Sequence, residues 1–248
     1  MTVTWHLFVA ELLKARTTRV PWLLLVAMTT LVVALVVLIL ATAEDEALQG
    51  DRGLRSMLAP GGNTAYLFAL VLGIIGMAGE YRHGTIGHSL LAAPHRWPIV
   101  AAKVVTYALA GLIFGAVAVA VNFAIAGPWM EARDAGWSLG EGLPWKIAAG
   151  SLAGCALFGV IGVGLAALVK DQVIALFVGV GWTLLLDSII LGVVPEVGKF
   201  LPGGALTGLT NGTGEELLDP PLGGLVLLGY ATLLAVGGAL AAQRRDLT

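Results

Sequence analysis

The chain has 248 residues, 58% of them hydrophobic and only 12% charged, with a mean hydropathy of +0.90. That balance excludes a water-soluble globular domain, and a net charge of −2 without any basic cluster excludes a nucleic-acid surface. The bilayer is the solvent in which 1–248 reads as a single all-α transmembrane domain.

Residues 1–19 come first. Trp5, Phe8, Val9, Leu12 and Leu13 recur at helical spacing, while His6, Glu11 and Lys14 fill another face. This predicts an amphipathic interfacial helix lying flat on the inner leaflet, with Lys14, Arg16 and Arg19 near anionic headgroups. The alternative is a solvated basic tail. A hydrocarbon core of about 30 Å takes about 20 apolar residues in helical form. Six such runs follow, approximately at 21–43, 63–79, 98–126, 146–169, 173–194 and 222–242. The first has the outline of a secretory signal, ending Ala41-Thr42-Ala43 after a basic stretch, but Val20 to Ala43 is too long for a signal core and long enough to span.

Spans two and three are joined by 80–97, a connection longer than helical proteins usually need. Thr85 can cap a short helix containing Ile86, Leu90 and Leu91, and Pro94 stops it before the chain re-enters the membrane at Trp97-Pro98. An amphipathic helix outside the bilayer is a docking surface. Within the spans, Gly73, Gly76 and Gly79, Gly111 and Gly115, and Gly150 and Gly154 have the small-residue spacing that lets helix backbones approach closely, either inside one chain or across a homodimer.

Orientation follows from Lys and Arg in the short loops. With both ends in the cytoplasm, the inner side holds Lys14, Arg16, Arg19, Arg82, Arg96, Lys103, Lys170, Arg244 and Arg245, and the outer side holds Arg52, Arg55, Arg133, Lys146 and Lys199. Residues 195–221, between spans five and six, then lie outside. They contain the apolar Phe200-Leu201-Pro202-Gly203-Gly204-Ala205-Leu206, and irregular backbone near a bilayer has to be covered by protein or line a wet cavity. A re-entrant outer loop fits that rule.

Catalytic motifs are missing. No G-x-x-x-x-G-K-[ST], H-E-x-x-H or C-x-x-C occurs, and His83, His88 and His95 lack the i, i+4 spacing of a helical zinc site. The one cysteine, Cys155, reads as packing. Asp187 is the acid placed inside a span. It reads either as a wall residue of the pathway or as a clamp onto the loop beyond Pro195, with Thr183 one turn earlier as a hydrogen-bond donor to it. Asn122 in span three is a weaker pathway candidate.

In order and topology the residues resemble the permease subunits of ABC exporters of the second exporter class, in particular the six-span bacterial drug and bacitracin-resistance type. The resemblance rests on Glu11-Leu12-Leu13-Lys14 with Arg16-Thr17-Thr18-Arg19 and Trp22, and on Glu80-Tyr81-Arg82-His83-Gly84-Thr85-Ile86. It continues through Leu90-Leu91, Pro94, Arg96 and Ala102-Lys103 to Leu201-Pro202-Gly203. It implies that ATP and magnesium are bound by a separate P-loop ATPase subunit, that no cofactor is held by this chain, and that a second permease copy, identical or related, completes the transporter. It also implies a bacterial plasma-membrane location. By position, Glu80, Tyr81, Arg82, Gly84, Thr85, Ile86, Leu90, Leu91 and Arg96 become the coupling element to the ATPase. Two readings stand beside this one: a membrane-embedded scaffold docking a cytoplasmic partner without transport, and an ion-driven transporter using Asp187.

Overall fold

A computed structural model describes residues 2–43, 50–82, 97–133, 140, 142–211 and 217–243. Ten α-helices and one π-helical turn are found among them: α1 (Thr2–Thr17), α2 (Arg19–Thr42), α3 (Gly50–Arg82), α4 (Trp97–Ala132), α5 (Gly142–Val169), α6 (Gln172–Gly181), the π turn (Trp182–Leu186), α7 (Asp187–Val193), α8 (Pro195–Gly198), α9 (Pro202–Asn211) and α10 (Pro220–Gln243). Six stretches are long and apolar enough to cross a membrane: α2, α3, α4, α5, the continuous run from α6 to α7, and α10. The chain is a multi-pass membrane protein. The short helix expected after Thr85 lies outside the described residues, as do the side chains of Trp5 and Arg82, and Gly84, Ile86, Leu90, Leu91 and Arg96.

The spans fall where the apolar runs predict, with one large difference. The second starts at Gly50 rather than near residue 63, running helically through Pro60, Gly61 and Gly62. Isolated, that triplet would end a helix. Here the two glycines sit where any side chain would meet Asn122 and Ser151 of neighbouring helices, and Leu54, Met57 and Leu58 of the extension are buried. Tertiary packing overrides the local breakers. At 33 residues α3 is about 50 Å long, so part of it projects beyond the hydrocarbon layer.

The centre of the bundle is α3 against α5. Two thirds of the apolar core of α3 and 61% of that of α5 is buried, against 22% for α2, the α6–α7 span and α10. Small residues make this closeness feasible. A Cβ at Gly73 would overlap the Gly159 carbonyl, and one at Gly162 would overlap that of Leu70, so the two helices meet backbone to backbone. The glycine spacings seen in the sequence thus serve seams within one chain. Cys155 is fully buried in the seam between α4 and α5, where its own carbonyl faces Gly111. The α5–α6 turn is tight: Lys170 adopts a positive φ of 61°, and Asp171 caps α6 by accepting from the Ile174 N–H at 2.9 Å.

Candidate functional site

Glu11 stands on α1, Glu80 one turn before the end of α3, and Lys103 two turns into α4. The sequence offers Glu80 and Lys103 as charges at opposite ends of a long connection. In the folded chain they meet. Lys103 Nζ donates to Glu11 Oε2 at 2.6 Å, lies 2.9 Å from Glu80 Oε1, and donates to the Gly76 carbonyl at 3.1 Å. Lys14 Nζ donates to Glu11 Oε1 at 2.8 Å and to Glu80 Oε1 at 3.0 Å. The result is a closed square of alternating charge, Glu11–Lys103–Glu80–Lys14, with no net charge.

Its burial is uneven. Lys103 is 1% exposed and both glutamate side chains 7%, whereas Lys14 is half exposed. Lys103 Nζ is surrounded by acceptors from α1 and α3, two carboxylates and a carbonyl, which offset the cost of its burial. Burial works against the Lys14 ammonium, but its contacts with Glu11 and Glu80 outweigh this and hold its pKa above the ordinary 10.5. An open cavity of about 380 Å³ adjoins the square, lined by Glu11, Lys14, Glu80, Lys103, Gly76 and Tyr107.

The square changes the picture of α1. Its polar face, expected to meet headgroups, turns inward to the bundle, while Leu12 and Leu13 are exposed. The helix is moored by charge, and its leucines are left to face lipid. Arg16 and Arg19 are exposed, Phe8 is half-buried, and the Arg16 carbonyl accepts from Trp22 Nε1 at 3.1 Å, closing the elbow between α1 and α2. Of the coupling residues whose side chains are described, Glu80 is in the square and Tyr81 packs half-buried against the core. Glu11 and Lys103 went unassigned in the sequence. The one signal for Lys103 was a lysine inside an otherwise apolar span.

Asp187 occupies a second polar site. It is 3% exposed, and its Oδ2 accepts from the Gly203 backbone N–H at 2.6 Å. Gly203 is the second residue of α9, and Leu201, before that helix, has no side-chain acceptor. Asp187 therefore caps α9 from another part of the chain, close to the positive end of its dipole. A side chain at Gly203 would run into this carboxylate. Thr183 does not donate to Asp187. The π turn inserts a residue and re-aims the helix face, and the Thr183 hydroxyl donates to the Gly179 and Val180 carbonyls at 2.9 and 3.2 Å instead. Segment 195–211 is two helices joined by a turn: Val197 and Phe200 in its first part are exposed, whereas Ala205 and Leu206 of α9 are buried and Thr210 donates to Asn63 Oδ1 of α3 at 3.2 Å. Asn122 is fully buried, and its Nδ2 donates to the Leu58 carbonyl at 2.9 Å, two residues before Pro60. An open cavity of about 520 Å³ lies between α3, α5, α9 and α10, with Arg55 and Lys146 in its lining.

The square and the cap lie at different levels of α3. Asn63, beside α9, and Glu80 are 17 residues apart, about 25 Å along the helix. No protein-family model matches the chain, and no curated protein is significantly similar to it.

Proposed function

We propose that this chain is the membrane-spanning permease subunit of an ATP-driven exporter, with both termini in the cytoplasm of a bacterium and ATP hydrolysis in a separate P-loop ATPase. The observation that carries the reading is the charge square. The connection from 83 to 96 leaves α3 just after Glu80 and enters α4 just before Lys103, so both of its roots are tied to one buried ion network and, through Glu11, to α1. A partner pressing on this connection would move α1, α3 and α4 together instead of bending a loose loop. That is what coupling an engine to a pathway requires. At the other end, the α8–α9 segment acts as the re-entrant outer loop capping the pathway, and Asp187 holds it.

The apolar, lipid-exposed face running through Phe177, Leu185 and Ile189 suits contact with a second permease copy. The substrate enters between the copies. Affinity purification from the native membrane tests the reading directly: a P-loop ATPase is expected to co-purify, and vesicles holding the complex are expected to move substrate only with ATP and magnesium. A chain that purifies with a non-ATPase partner and moves nothing would be a docking scaffold instead.

A further inference from the structure

A second groove opens beside the charge-square cavity, sharing Pro21 and Leu72 with it. It holds about 340 Å³ and is enclosed by α1, α2 and α4, with Leu72 of α3 at its base. The deeper residues Leu72, Thr106 and Phe114 are buried, while Trp22, Leu109 and Ile113 on its walls are exposed. Arg16 stands on its α1 side, carries a full positive charge and is exposed. Here an apolar slot has one cation beside it, at the membrane level where α1 gives way to the first span.

Thr106 adds an independent observation. Every other threonine with a described side chain donates its hydroxyl to the carbonyl four residues earlier, as Thr29 does to Leu25, Thr64 to Pro60 and Thr232 to Leu228. That is the ordinary way to satisfy a hydroxyl in a membrane helix. Thr106 is 1% exposed, yet its Oγ1 has no hydrogen-bond partner. Its hydroxyl is uncommitted, and one χ1 rotation presents it to the groove it lines. It lies three residues past Lys103, which pairs with α1, so it sits about 4.5 Å deeper along α4 than the α1 level. That order from the surface inward, cation, hydroxyl, apolar slot, matches phosphate, glycerol ester and acyl chain.

We propose that this groove is a binding site for one anionic phospholipid of the leaflet on which α1 lies. Its phosphate meets Arg16, an ester carbonyl accepts from Thr106, and an acyl chain runs between Trp22 and Ile113. A lipid seated there wedges the α1–α2 elbow and steadies α1 against the bundle beside the charge square. The assignment does not depend on the transport reading.

Native mass spectrometry of the delipidated protein, titrated with phosphatidylglycerol or phosphatidylcholine, tests it. One phosphatidylglycerol is expected to bind saturably, about fivefold more tightly than phosphatidylcholine, the preference one basic residue confers. Arg16→Gln, at an exposed position that leaves packing alone, erases the preference. Thr106→Val weakens both lipids about threefold. Ile113→Trp fills the slot and abolishes binding, whereas Leu233→Trp on the exposed face of α10 does not. Equal retention of the two lipids by the wild type, or equal phosphatidylglycerol on the Ile113→Trp and Leu233→Trp proteins, would leave only annular lipid and overturn the site. Displacement of the lipid by inorganic phosphate would mark a plain anion site and overturn it as well.

Discussion

Two buried carboxylate sites at different levels of the bundle solve the same problem in opposite ways. At one level Glu11 and Glu80 are neutralised by two lysines, so four side chains from three helices hold each other in a net-neutral square. At the other, Asp187 has a single backbone N–H and the end of a short helix dipole. The first arrangement fixes helices to one another through coupled charges, because each lysine pairs with both glutamates and each glutamate with both lysines, so removing one leaves the buried remainder out of balance. The second fixes only the start of a ten-residue helix and can be lost at the cost of a cap. The difference separates two kinds of attachment: α1, α3 and α4 are tied by charge, and the start of α9 is tied by one carboxylate while the rest of that helix is held by packing and the Thr210–Asn63 bond.

Substitutions separate the two sites by size of effect. Lys103→Met leaves two nearly buried carboxylates sharing the one half-exposed Lys14 and should destabilise the protein by about 3–5 kcal/mol, read as a large fall in unfolding temperature in detergent. Adding Glu80→Gln should recover part of that loss. A Lys103→Met protein as stable as the wild type would break the comparison at its stronger side. Gly76→Ala puts a methyl into the Tyr107 ring beside the square, and a cost of about 1–3 kcal/mol is expected, with α1 becoming open to limited proteolysis. Asp187→Ala removes the cap from α9 and should cost about 0.5–2 kcal/mol, while Asp187→Asn, which keeps an acceptor, should cost less. Hydrogen exchange should localise this loss to 202–211 and leave α1 unchanged. The smallest effect concerns pH. Because the Lys14 pKa is raised, its contribution is complete below 10.5 and disappears only as pH climbs through the higher folded value. An alkaline titration of the unfolding temperature should therefore show no change from Lys14 near neutrality, and a Lys14→Met protein should lose any late alkaline step.

The six spans were legible because a run of about 20 apolar residues has few other fates in a chain this hydrophobic. The start of α3 was not, since Pro60-Gly61-Gly62 reads locally as a break and the contacts that override it come from Asn122 and Ser151, far along the chain. The charge square was half legible. Glu80 drew attention through its neighbours, but Glu11 and Lys103 are 92 residues apart, and no periodicity within one helix reports a pair at that distance. For α1, helical spacing separated the two faces, but the reading sent Lys14 to the headgroups, whereas Glu11 and Lys14 bond to the bundle. The missing acceptor before Pro202 was a readable sign that α9 needed a cap from elsewhere. Thr183 was the nearest guess to its surroundings, and the π turn, which leaves no mark in residue spacing, turned it away.

The square also sets an order of assembly. Glu11 and Lys14 are made first, but their partners at 80 and 103 appear only when the second and third spans emerge from the ribosome. Until then α1 carries only its own Glu11–Lys14 pair, which water must solvate, so it has to wait at the membrane surface beside an already inserted first span. Docking becomes favourable on the arrival of Lys103. Helix α1, synthesised before the spans it binds, is among the elements that must wait for later ones before taking their final place.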